Sequence, residues 1–192
     1  MARLADGGAF TFEGGLGLVK TFLLGAVTSA VVLVAGIAVY FMAGIAPVAT
    51  ASPPVPLEHF LAKAALDSRI RRESPKSVRI NPDEASYLEG AKIYRDNCAI
   101  CHGLPGASPS AIAMGLFPEA PALFKGKGVT DDEPGETYWK VVNGIRLTGM
   151  PGFRQSLSER QVWEVTLLLA NTNTLSTSVR SALTAPVGST IR

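Results

Sequence analysis

Histidine and cysteine are both scarce here. The 192-residue chain holds two of each, and three of the four fall within a single short stretch. A structural zinc site needs four ligands, and outside that stretch only His59 remains as a nitrogen donor, so zinc is short of ligands. Charge of one sign is lacking too. Lys plus Arg number 18 against 16 acidic residues, a formal net charge of +2, and no basic run interleaved with aromatics appears, which excludes nucleic acid as a partner. No repeat occurs at a solenoid period. Residues 21–45 contain no charged side chain at all.

What is present centres on Cys98-Ala99-Ile100-Cys101-His102. Two thiols about one helical turn apart reach the two vinyl groups of a haem, and the adjoining imidazole is aimed at the iron. A thioredoxin-like dithiol would lie beside a βαβ pattern, but no alternating strand segment flanks this one. A local disulfide would leave His102 unexplained. The expected cofactor is one covalently attached haem c, with His102 as an iron ligand.

Hydrophobic residues make up 47% of the chain and mean hydropathy is +0.23, which places part of it in lipid. Residues 1–20 read as a loose tail and 21–46 as a transmembrane anchor, since about 25 apolar residues cross ~30 Å of hydrocarbon as a helix. A cleavable signal peptide competes with that reading, because Ala49-Thr50-Ala51 offers a cleavage site, but its apolar region would be shorter. Arg3 and Lys20 before the span obey the positive-inside rule, whereas Arg69, Arg71, Arg72, Lys76 and Arg79 beyond it oppose that orientation. Residues 47–80 form a Pro- and Ala-rich linker whose Leu57, Phe60, Leu61, Ala64, Ala65 and Ile70 predict a short amphipathic helix over 57–72.

A cytochrome-sized domain is expected over 81–171, with 172–192 a Ser/Thr-rich tail. Asn81, Pro82 and Glu84 predict a helix start with Asn81 as cap and the helix running to about Asn97, its Tyr87, Gly90, Ala91 and Tyr94 on one face. A further helix is expected over 136–143, stopped by Gly144. Ser158 and Gln161 form a capping-box pattern that opens a last helix to about Ala170, presenting Trp163 and Leu167.

From about residue 83 to 170 the chain resembles class I mono-haem bacterial cytochromes c, carried by the haem motif, Gly90, Tyr94, Trp163 and Gly149-Met150-Pro151. The resemblance implies an all-α cytochrome c fold, three to four helices around one covalent haem, here preceded by one transmembrane helix. It also implies Met150 as the second axial ligand. By residue chemistry alone Met114, His59, a lysine or an open site compete, but Met150 lies in a loop well beyond His102, with a helix between to wrap one haem face. A proline carbonyl holds the proximal imidazole in the family. Pro121 is the candidate here, beside Pro118 and Pro105. Tyr138, Trp139 and Arg146 are candidates to hold propionates, and Leu123, Phe124, Val141, Val142, Ile145 and Phe153 to line the pocket.

With both axial positions filled, the chemistry left is one-electron transfer. The expected protein is a tethered electron carrier in a bacterial cytoplasmic membrane, single-pass, and since the flanking charges do not decide orientation, it is the resemblance that implies a haem domain in the periplasm. Its partner would be an integral membrane redox complex: a quinol-cytochrome oxidoreductase, a terminal oxidase or a photosynthetic reaction centre. The alternatives are a cytochrome subunit of a periplasmic dehydrogenase or oxidase complex, and a haem enzyme with an open iron.

Overall fold

A computed structural model describes residues 13–125 and 132–185. Among the described residues all regular structure is helical: α1 (Glu13–Met42), α2 (Glu58–Glu73), α3 (Glu84–Asn97), α4 (Ala99–His102), α5 (Ala111–Met114), α6 (Pro134–Asn143), α7 (Glu159–Ala170) and α8 (Thr177–Thr184). The chain divides into two units, 1–48 and 49–192.

The first unit is built on α1. Its segment Gly17–Met42 has a mean hydropathy of 2.5 and buries none of its apolar window within the protein, and at 1.5 Å per residue it is about 39 Å long, enough to cross a bilayer. Thr21 and Thr28 donate their hydroxyls to the Gly17 and Leu24 carbonyls one turn back, which satisfies both on the helix itself. The helix stops earlier than the apolar run does. Gly44 takes φ +68°, a left-handed conformation open to glycine, and Ile45 N–H donates back to the Tyr40 carbonyl.

The second unit is organised by the crossing of α3 and α7. Gly90 permits it: a Cβ there would lie 2.3 Å from the Glu164 carbonyl oxygen, so the two backbones touch where no side chain fits. Tyr94 on α3 and Trp163 on α7 are fully buried about this contact. Trp163 also stacks on Tyr138 of α6, centroids 4.3 Å apart, which fixes α6 against the other side of α7.

Helix starts follow local chemistry, with one correction. α7 opens with the expected capping box, Ser158 accepting from Gln161 N–H while the Gln161 side chain accepts from Ser158 N–H. α3 is capped by Asp83 and not by Asn81: the Asp83 carboxylate accepts the Ser86 N–H at 2.8 Å, and Glu84 turns away to Ser176 and Ser178. A carboxylate two residues closer to the first turn outcompetes the Asn81 amide, whose residue instead offers its backbone carbonyl to Ser86 Oγ. α6 ends at Gly144, φ +65°.

Two segments assigned outside the domain belong to the compact unit. The end of α2 packs on α6: Ile70 and Ser74 are buried, the Pro75 carbonyl sits where a Cβ of Gly135 would be, and Trp139 Nε1 donates to Glu73 Oε2 at 3.0 Å. Within the expected 172–192 tail, the described part is not simply a tail, because α8 packs on α3 with Val179, Ala182 and Leu183 buried. Those three residues at i, i+3 and i+4 form an apolar stripe that the surrounding Ser and Thr disguise.

Candidate haem site

Cys98 closes α3 and opens the single turn α4, in which Cys101 N–H and His102 N–H both donate to the Cys98 carbonyl, at 3.1 and 2.9 Å. Both cysteines are free and half-buried on one turn. Gly103, at φ +74°, ends the turn, and its carbonyl accepts the Tyr94 hydroxyl at 2.7 Å. The haem motif is thereby tied to the α3–α7 crossing through Tyr94. Burial pushes the Cys98 thiol up to about 12, with the neighbouring Cys101 a lesser cause.

His102 Nδ1 lies 2.9 Å from the Pro121 carbonyl oxygen. A carbonyl only accepts, so Nδ1 carries the proton and Nε2 keeps its lone pair for a metal. Beside the ring is a cavity of about 120 Å³ lined by Cys101, His102, Leu104, Ala113, Met114 and Phe124 among others. Phe124 meets Tyr94 edge-on at 5.0 Å, which joins that wall to the core.

Met150 sits in a loop closed on itself. Ile145 N–H donates to the Met150 carbonyl at 3.2 Å, Met150 N–H to Thr148 Oγ1 at 3.1 Å, and Thr148 Oγ1 to the Ile145 carbonyl at 2.7 Å. Phe153 N–H and Arg154 N–H then return to the Val141 and Val142 carbonyls. The half-buried Met150 side chain packs against the core with Leu123, Phe124, Val142 and Phe153, whereas Met114 on α5 is 72% exposed. Gly149 presses on Leu116, joining the Met150 loop to the segment after α5.

The other expected site residues are more dispersed. Tyr138 has its ring on Trp163, Trp139 has its N–H committed to Glu73, Arg146 is exposed, and His59 is exposed on α2. Leu104, Leu116 and α5 were missed from sequence, although Ser110 before Ala111, whose side chain accepts Ala113 N–H, is a readable cap.

The donor set fits a haem better than a bare ion: two neighbouring thiols, an imidazole with one free nitrogen, a half-buried thioether on a separate loop, and apolar walls. No group of three or more His, Cys, Asp or Glu converges for a bare metal among the described residues.

Residues 85–168 match the family described as cytochrome C oxidase, cbb3-type, subunit III. This segment is a c-type cytochrome domain, with the cytochrome c fold. Covalently bound haem c is the cofactor such a domain implies. The chain is 28% identical over 96 residues to the quinohemoprotein alcohol dehydrogenase ADH-IIG of Pseudomonas putida, a match covering 50% of this chain and 12% of that one. A solved chain of the reducing HAO-like protein complex of Kuenenia stuttgartiensis has a TM-score of 0.42 and 24% identity, over 55% of this chain and 54% of that one.

Proposed function

We propose that the protein is a membrane-tethered, mono-haem electron carrier, with Cys98 and Cys101 holding the haem and His102 and Met150 as its axial ligands. The observation that carries this is the 2.9 Å contact from His102 Nδ1 to the Pro121 carbonyl inside a Cys-x-x-Cys-His turn, which presets the imidazole as a metal ligand. The haem, when bound, supplies a reversible one-electron couple, whose potential a thioether ligand raises. The chain's own residues supply rigidity and a contact face: Met150 is held by its closed loop, and the segments beside the site expose Ile100, Ile112, Met114, Phe117 and Leu147. That largely apolar rim, interrupted by Glu119, Lys125 and Arg146, suits docking against another redox protein. Pro121 serves as the orienting acceptor, and Tyr138, Trp139 and Arg146 stay candidates for propionate contacts, Arg146 the freest of the three since it is exposed and the Trp139 N–H is engaged.

α1 serves as the anchor in a bacterial cytoplasmic membrane, supported by its length and its unburied apolar surface, with the haem domain on the periplasmic side. The partner is an integral membrane redox complex. A second reading, favoured by the likeness to the Pseudomonas putida dehydrogenase, makes the chain the cytochrome subunit of a periplasmic dehydrogenase. Spectra of the matured full chain test the proposal. Colour should survive acid-acetone extraction, the reduced form should be low-spin and should not bind CO, and a high-spin, CO-binding protein would show an open iron instead.

A further inference from the structure

Outside the haem rim, exposed apolar side chains of the second unit gather on the first half of α2. Leu57 is 68% exposed, Phe60 67% and Leu61 60%, and Ala64 lies one turn further on the same stripe. Phe60, Leu61 and Ala64 fall on one face of α2, and Leu57, the left-handed residue just before the helix whose carbonyl accepts the Leu61 N–H, adds an exposed apolar side chain at its start. The residues by which α2 joins its domain, Ile70, Glu73 and Ser74, lie at its other end and on its other side. The first turns of α2 therefore stand off the domain with an apolar stripe that no element covers, although so short a helical stretch gains little stability of its own in water.

We infer that this stripe lies in the interface of the membrane that α1 is proposed to span, so that α2 is an amphipathic interfacial helix and not a spacer. Three observations favour a phospholipid surface over a protein groove. The chain carries no charged residue from Thr21 to Leu57, so the segment joining α1 to α2 has nothing that draws it away from the bilayer. Ile45, Val48 and Val55 on that segment are themselves exposed. Arg71 continues the stripe, with Arg72 beside it, and neither has an ion-pair partner among the described residues, although Arg72 Nε donates to the Ser68 carbonyl. Guanidinium groups at the end of an apolar stripe are placed to meet lipid phosphates, their stems along the acyl boundary.

This inference rests on the anchor reading, and the test separates the two. The matured full chain is placed in nanodiscs of zwitterionic and anionic phospholipid, and spin labels are attached to Leu57→Cys, Phe60→Cys, Leu61→Cys and Ala64→Cys, with Ala62→Cys and Arg69→Cys off the stripe and Val31→Cys in the span. The parent chain should take up no label, its own cysteines being bound to haem. Collision rates with oxygen and with a water-soluble nickel complex should show stripe positions several-fold richer in oxygen relative to nickel than positions 62 and 69. Equal nickel access at all α2 positions, with position 31 still oxygen-rich, overturns the inference and leaves the anchor standing. Nickel access at position 31 overturns the anchor itself. Labels on the stripe shielded from both reagents would mean a protein cover, and spin–spin broadening between labels would identify a second copy; either result overturns the lipid assignment. Phe60→Glu with Leu61→Glu should abolish the periodic pattern.

Discussion

Residue chemistry adds a physical difference between two methionines of which the sequence already favours Met150. Met114 sits on a one-turn helix with most of its surface in water, while Met150 is packed on the core by a loop whose own hydrogen bonds hold its backbone. A ligand must be presented without rearrangement, so Met150→Ala should abolish the weak long-wavelength methionine–iron band and lower the reduction potential, while Met114→Ala leaves both in place. Absorption spectra and potentiometric titration of the two variants check this; a band that survives Met150→Ala removes the distal assignment. Asp83 gives a second expectation. The Ser86 backbone N–H holds its carboxyl below the ordinary value of about 4, so its contribution to stability is complete above that pH and is lost as pH falls through the folded value. Asn caps a helix about as well as Asp. Asp83→Asn should therefore leave unfolding near pH 7 almost unchanged and make the loss of stability below about pH 4 shallower, read by denaturant melts across the acid range.

At the scale of elements, close approach and burial decide the fold. The Gly90 Cβ position lies 2.3 Å from Glu164 O, and the obstacle is backbone that cannot step aside. Gly90→Ala should force α3 and α7 apart at a cost of about 3 kcal/mol, near the upper end for overpacking. Leu183 of α8 has no exposed surface. Leu183→Ala should cost on the order of 3 kcal/mol in the same measurement, whereas a detached tail would tolerate it with no change. The capping box of α7, the Gly144 stop of α6 and the haem motif were legible in sequence because each is local, its partners lying within a few residues. The α3 cap was misplaced because Asn81 and Asp83 compete for the same donors and only the geometry chooses. α8 was hidden by its polar composition, and the seating of α2 on α6 depends on a long-range approach of the Pro75 carbonyl to Gly135 that no local pattern records. The His102 to Pro121 contact joins residues 19 apart, so the resemblance could nominate Pro121 but local pattern could not.

For the whole molecule, the division into an apolar helix and a compact unit sets, on the proposed function, how a tethered carrier would meet its partner. Basic and acidic side chains nearly balance from Asp83 onward, and the rim around the site is mostly apolar, so on the proposed function long-range steering would contribute little to encounter. A tether replaces steering by confinement, giving an effective concentration on the order of millimolar for a short flexible connection. Two consequences are measurable with one pair of proteins, the full chain and a chain starting at Ala49 behind a cleaved leader, each mixed with membranes containing the reduced partner complex. The shortened protein should keep its spectrum and unfolding temperature, since the unit it retains makes its own core. It should be released when the membranes are washed, the short α2 stripe alone holding it only weakly, and its haem reduction followed by stopped flow should rise linearly with concentration, far below the tethered rate at micromolar levels. For both proteins the rate should change little between low and physiological salt, because a nearly neutral, apolar contact has little Coulomb attraction to screen. Equal rates at micromolar concentration would show that the helix does not serve encounter, and a steep fall with salt would show that charged groups, and not the apolar rim, form the contact.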